Sequence, residues 1–314
     1  MWFKHLHLYR LHDTEVIPLD ALEERLAEQA FRPLGGSEAT RLGWRTPGGR
    51  TSPRFVHEVQ GHRLLSALRQ ERVLPSAVVR EEVEERAADR EAAEGRPLPR
   101  RERQAIKEQV YEEFLPRAFV RSQRLDLWWD TRGGLIGINA SSRKRAEEIL
   151  DLLRQALGSL KVTPLATQML PIRAMTAWLS DAGQRPEGLI LGDQVELKAK
   201  DEGVVRARQM DLDSDEIKQL LENDRQVTRL ALEVEGQLAW TLHDDLALKS
   251  LRFADAVIDE AAQADDGDDA ILRLETDFAL MAQTLAPVIT QLTRWLGGEA
   301  SAQESRTPDV LAQQ

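Results

Sequence analysis

Apolar and polar positions alternate at period two along residues 2–11, from Trp2 to Leu11, which predicts a strand with one buried face. Leu22 and Leu26 then share a helical face, so a helix is expected over residues 20–30, after Pro18-Leu19. Gly35-Gly36, Gly43 and Pro47-Gly48-Gly49 punctuate the next stretch, leaving residues 42–45 and 55–72 as short strands with a hairpin turn at Gly61-His62. From Pro75 the sequence turns to Glu, Arg and Ala at helical spacing, stops at Gly95-Arg96-Pro97-Leu98-Pro99, and resumes over residues 100–114. Two helices forming a protrusion are predicted there. Strands over 118–130 and 135–139 follow, joined at Arg132-Gly133-Gly134, and Ser141-Ser142 caps a helix running to about Leu157.

A second unit starts after Pro164, with a short helix over 172–180, strands over 189–198 and 204–210, and a helix over 214–221. Residues 227–234 and 238–242 flank Glu235-Gly236 as a hairpin, 247–252 adds a strand, and two helices close the chain, the last over 272–296. Its Phe278, Met281, Leu285, Val288, Leu292 and Trp295 recur at three or four residues, with Leu280 and Ile289 widening the apolar surface. So broad a face suits intramolecular packing, with a subunit interface as a second use. Residues 299–314, rich in Ser, Gln, Thr and Pro, read as a flexible tail.

At 314 residues two or three lobes are the prior expectation, and a composition 42% hydrophobic and 30% charged describes a folded, well-solvated protein. Cysteine is absent, which excludes disulfides, thiolate zinc sites and a cysteine nucleophile. No run reaches the roughly 18 apolar residues of a membrane span, so a cytoplasmic location without membrane contact is expected. The net charge of −11 opposes contact with nucleic acid unless charge is segregated. It is: from Arg96 to Arg145 twelve Lys or Arg face six Asp or Glu, whereas from Asp255 to Asp277 nine acidic residues face Arg273 alone.

Motifs for chemistry are few. No glycine loop of the phosphate-cradling kind is present. His5-x-His7 puts two imidazoles on one strand face without a third ligand nearby, His243-Asp244-Asp245 reads as a polar turn after a strand, and Asp265-Asp266-Gly267-Asp268-Asp269 lacks calcium-loop spacing and reads as a helix–helix linker. No catalytic residue, metal or cofactor is therefore expected. The basic stretch from Arg96 to Arg145 also holds Phe114, Phe119, Trp128 and Trp129, a mixture that serves either a nucleic-acid grip or a solvated helix face beside a sheet core.

Several segments in one order carry a resemblance: Met1-Trp-Phe-Lys4 opening a strand that ends Tyr9-Arg10-Leu11, then Leu115-Pro-Arg-Ala-Phe119, Met175-Thr-Ala-Trp-Leu179, Glu196-Leu-Lys198, Asp215-Glu-Ile217, Thr228-Arg-Leu-Ala231 and Asp277-Phe-Ala-Leu-Met281. Together they resemble the RdgC family from residue 1 to about 298. The resemblance implies an α+β fold with two sheet-containing lobes and a helical tip: a central domain (1–74 plus 117–165), the tip (75–116) and a base domain (166–298). It implies two copies closing as a ring-shaped homodimer around double-stranded DNA, with single-stranded DNA as a second ligand. It also implies a nucleoid-associated protein that restrains RecA-dependent recombination by occupying DNA, with no active site. A ring acidic outside and basic inside would reconcile the net charge with that role. Basic positions matching the family are Arg117, Lys198, Arg206, Arg225 and Arg229; Arg121, Arg124, Arg208 and Lys249 complete the expected DNA-contacting set. Phe119, Phe278, Met281, Leu292 and Trp295 are the expected dimer-interface residues. The alternative is a regulator that binds recombination proteins through its acidic surface and touches DNA little.

Overall fold

The computed structural model describes residues 2–12, 15–199, 203–222, 225–263 and 269–300. Its first half comprises β1 (His5–Leu11), α1 (Leu19–Glu28), β2 (Thr40–Arg45), β3 (Val56–Val59), β4 (His62–Val73), α2 (Ser76–Glu94), α3 (Arg100–Phe114), β5 (Phe119–Asp130), β6 (Leu135–Asn139), α4 (Arg143–Leu157) and β7 (Val162–Pro164). The second comprises α5 (Pro171–Ser180), β8 (Ile190–Lys198), β9 (Val204–Arg208), α6 (Asp215–Glu222), β10 (Gln226–Val234), β11 (Leu238–His243), β12 (Leu248–Phe253), α7 (Asp255–Gln263) and α8 (Ala270–Trp295).

All twelve strands join one antiparallel sheet in the order β2-β4-β5-β6-β1-β12-β11-β10-β8-β9, with β3 beside β4 and β7 beside β1. The two sheets expected of separate lobes thus run together, and β1 is the seam. His5 and Leu6 pair with Lys249 and Leu248 of β12, while His7 to Arg10 pair with Ile138 to Leu135 of β6.

Side chains alternate across this seam, and each face finds a different cover. Leu6 and Leu8 point to the core shared with α5 and α8, where Trp178, Phe278, Met281, Leu285 and Leu292 lie, and that core reaches Leu64 and Trp128 of the first half. Tyr9 and Leu11 point the other way, into the core beneath α1 and α4 with Leu22, Leu26, Trp44, Ile149 and Leu153. Helices therefore cover opposite faces of the two halves, leaving the α4-side face of β8–β12 open. Helix α8 crosses the junction: Phe3 N–H meets Met281 Sδ at 3.3 Å, Glu275 meets His57 of β3 at 2.8 Å, and Gln283 bonds Gln60 at 2.9 Å. The tip hairpin α2–α3 closes on its own small core of Val79, Ala87, Leu98, Ile106 and Val110.

Several boundaries differ from the sequence expectation. Helix α1 ends at Glu28 rather than Ala30, because Ala30 and Phe31 turn to the edge of β2, where Phe31 N–H bonds Trp44 C=O at 2.6 Å. The β3–β4 turn is Gln60-Gly61, both at positive φ, one residue earlier than expected, the pairing a two-residue hairpin of right-handed twist demands. The expected tail does not begin at 299: Glu299 bridges Thr167 and ion-pairs with Arg10, and Ala300 N–H bonds Ala166 C=O at 3.0 Å. Residues 301–314 lie outside the described residues, as does the acidic run from 265 to 268. Asp269 caps α8, its carboxylate accepting the Ile271 and Leu272 N–H groups at 2.8 and 3.2 Å.

Candidate nucleic-acid interface

Period two decides what the open face presents. Along β8–β12, Val195, Leu197, Ala207, Leu230, Leu232, Trp240, Leu242 and Leu248 enter the α8-side core. The intervening Gln194, Glu196, Arg206, Arg208, Arg229, Thr241, His243 and Lys249 line a groove of about 150 Å³ on the opposite face. Strand register turns these into a row across the sheet: Arg206 stands opposite Glu196, Glu196 opposite Arg229, and Arg229 opposite His243. Arg208 pairs with Gln194 beside it, and Thr241 with Lys249.

Glu196 organises the row. Its Oε2 accepts the Arg206 Nε–H at 2.6 Å and ion-pairs with Arg229 Nη1 at 3.1 Å, and its Oε1 accepts the Thr228 hydroxyl at 3.0 Å. Burial opposes the carboxylate's charge, yet the bonds from Arg206 and Thr228 and the charges of Arg229 and Arg206 outweigh it and hold the group below its ordinary range. Arg206 and Arg229 keep 59% and 46% of their side chains exposed, so both remain accessible from solvent. His243 is pushed down by burial and by the charge of Arg229. Neutral imidazole, hydroxyl and amide groups in such a place can supply hydrogen bonds, and guanidiniums charge, to an anion.

Lys249 sits differently from expectation. Its Nζ reaches His7 Nε2 at 2.7 Å, Ser141 C=O at 3.0 Å and Ala140 C=O at 3.4 Å. An ammonium has only donors, so His7 Nε2 is the unprotonated nitrogen, and Lys249 is a tie across the β1 seam rather than a free cation. Burial lowers its pKa. His5-x-His7 is thus part of the sheet's packing, and among the described residues no three His, Cys, Asp or Glu side chains gather as metal ligands.

The other expected contacts do not converge on the groove. Lys198 is exposed at the end of β8 on the same face as Glu196, and Arg225 donates to Gly203 C=O at 3.0 Å. Arg117 is exposed in the turn below the tip. Arg121 pairs with Glu71, which also takes Arg69 and, at 3.2 Å, Arg145; the hydrogen bond from Arg69, against burial and with Arg121, brings Glu71 down to about 2. Arg124 bonds Asp126 at 2.7 Å and Ser66 at 3.1 Å, on the face opposite Arg121.

Of the expected interface residues, Phe278, Met281 and Leu292 are corrected by their burial: at 0–1% exposure they belong to the chain's own core and offer a partner nothing. Trp295 is half-buried against the same core. Phe119 is the opposite case, 88% exposed and paired in register with the exposed Val73 at the foot of the tip. Nearby, Leu74, Val79, Val83 and Tyr111 line an apolar groove of about 410 Å³ on the tip helices. A further cavity of about 480 Å³, bounded by Leu11, Glu15, Arg25, Trp129 and Leu160, carries no comparable gathering of cations.

Sequence reasoning missed Gln194, Thr241 and His243 as groove residues. The register that aligns them with Arg206 and Arg229 is not written in any one segment, although Arg206-x-Arg208 and Glu196-x-Lys198 each place two charges on one face.

One antiparallel sheet, sheathed by helices on alternate faces and left open over an arginine row, defines a mixed α/β protein with cations gathered on one sheet face. The chain belongs to the RdgC family. The family model described as "Putative exonuclease, RdgC" matches residues 1–299. Proteins named "Recombination-associated protein RdgC" are similar along nearly their whole length. The one from Tolumonas auensis is 39% identical over 301 residues, covering 95% of this chain and 99% of the relative. Those from Aeromonas hydrophila and Serratia proteamaculans are each 38% identical, covering 95% and 96% of this chain and 99% of each relative.

Proposed function

We propose that this chain binds double-stranded DNA without reading its sequence, laying the phosphate backbone along the open face of β8–β12, and so acts in recombination. The observation that carries this is the row Arg206–Glu196–Arg229–His243, flanked by Arg208, on the open face of a chain whose net charge is −11. Charge concentrated in a concave site raises local potential whatever the total, and phosphate contacts by Arg fix a duplex without specifying bases. Two copies close around the duplex through the exposed Phe119, Val73 and Tyr111 surface at the tip. Occupied DNA is then withheld from RecA, which restrains strand exchange without an active site, and single-stranded DNA is a weaker second ligand. The protein works in the nucleoid; no helix among the described residues is long and apolar enough to cross a membrane.

Binding to two unrelated duplexes across a salt series tests this. Affinity falls by about 0.9 log unit per log unit of salt for each phosphate neutralised, equally for both sequences, and Arg206→Glu with Arg229→Glu removes most of it. Unchanged affinity in the double variant would instead favour a regulator that works through its acidic surface. The word exonuclease in the family description calls for one more assay: linear duplex incubated with magnesium stays intact on this reading.

A further inference from the structure

We infer that Glu196 is a positioning residue of the DNA-binding face: a buried carboxylate that aims Arg206 and Arg229 at the phosphates and is itself never in contact with DNA. The inference rests on the groove reading above. An acid in the middle of a site for a polyanion subtracts charge where charge is wanted, so its presence needs a cause, and the geometry supplies one. Strand β8 lies between β9 and β10, and Glu196 stands in register with both arginines, roughly 10 Å apart across two strand spacings. One oxygen, Oε2, accepts the Arg206 Nε–H at 2.6 Å and ion-pairs with Arg229 Nη1 at 3.1 Å, while Thr228 holds the other oxygen at 3.0 Å. Thr228 is 7% exposed and also bonds the Glu196 carbonyl at 3.3 Å, so the carboxylate cannot turn without breaking a buried hydrogen bond.

Arg206 gives one N–H to this bracket and Arg229 is drawn to it by charge, and both guanidiniums stay open to solvent, with side chains 59% and 46% exposed. Free arginine side chains would lose their rotamer freedom only when DNA arrives; these lose it on folding, and the cost is removed from binding. The carboxylate also screens the repulsion between two guanidiniums on the strands that flank β8, which lets both stand on one narrow face.

Two variants separate aim from charge. Glu196→Gln removes a negative charge from the groove, so electrostatics alone predicts tighter DNA binding and a steeper salt dependence. Positioning predicts the reverse, a loss of about threefold to tenfold, the scale of ordering one side chain on binding, with no gain in slope. Thr228→Val changes no charge and frees only the carboxylate's orientation; it is expected to weaken binding in the same direction by about twofold to fourfold. In the DNA-free protein, the Arg206 Nε–H nuclear magnetic resonance signal, slow to exchange in the parent, exchanges faster in both variants. Thermal unfolding checks that each variant folds, and should Glu196→Gln fail to fold, Thr228→Val decides alone. Equal or tighter binding by Glu196→Gln, or no change in binding and exchange for Thr228→Val, overturns the inference. An Arg206→Glu, Arg229→Glu variant that still binds DNA defeats the groove reading itself, while faster exchange in the two other variants would leave the bracket standing.

Discussion

Burial lowers the pKa of His7 from 6.5 to about 4, the charge of Lys249 acts in the same direction, Asp245 opposes it, and Arg143 and His5 add smaller downward pushes. The unfolded chain therefore takes up this proton near pH 6.5 and the folded chain only near pH 4. Between those values the unfolded state binds more protons, so stability is complete above pH 6.5 and declines as the pH falls toward 4. His5, His62 and His243 are displaced downward as well, each chiefly by burial, so their losses act in the same direction below about 6.5. The melting temperature, followed by circular dichroism, should be level from pH 8 to 7 and drop below about 6.5. His7→Gln should flatten part of that drop, because an amide can accept from Lys249 and has no proton to gain. A profile that stays level down to pH 4.5 would show that His7 is not held neutral at the seam. The partner of this residue was not legible in the sequence: His5-x-His7 is visible as a pair, but the Lys249 that bonds His7 comes from 242 positions away.

Strands and helices were legible where the local pattern was strong, and their partners were not. Alternation located β5, β6 and β10 within a residue or so, and Ser142 as the cap of α4, whose hydroxyl accepts Arg145 N–H. Alternation carries no information about neighbours, so the division of β1 between β6 and β12 was hidden. The apolar breadth of α8 was equally plain, but breadth does not say whose surface covers it; the strands on its own chain do. Composition was the weakest guide, since Arg121 and Arg124 stand three apart on a strand and face opposite ways, while Arg206 and Arg208, two apart, act together. Between elements, Gly43 of β2 marks a close approach: a Cβ there would come within 2.6 Å of Phe31 Cα and 3.0 Å of Phe31 N. Those are backbone atoms held by the Phe31 N–H to Trp44 C=O bond, so they cannot step aside as a side chain would. Gly43→Ala should cost about 1–3 kcal/mol, read as a lower denaturant midpoint with an unchanged slope. An unaltered midpoint would mean that the segment after α1 is free to lift from the sheet edge.

At the scale of the whole molecule, the sheet provides one basic face and the tip provides one exposed apolar surface, and the ring reading needs both. Phe119, 88% exposed, and Val120, 45% exposed, open β5 beside Val73, with Tyr111 of α3 also 42% exposed. Large side chains left in water side by side at one end of the molecule fit the proposed surface between two copies. In the proposed dimer Phe119→Asp would place a charge in that covered surface with no compensating cation, so association should weaken by orders of magnitude. The fold should not notice, because a residue so exposed contributes little to its own chain's stability. Sedimentation at micromolar concentration is then expected to show a shift from dimer to monomer at an unchanged melting temperature. Duplex affinity should fall with it, since one protomer offers half the arginines and cannot enclose the helix, while the salt slope should drop in proportion to the phosphates no longer neutralised. An unchanged mass in solution, or a monomer that binds duplex with the full slope, would place the DNA on a single open groove and leave the apolar tip to some other partner.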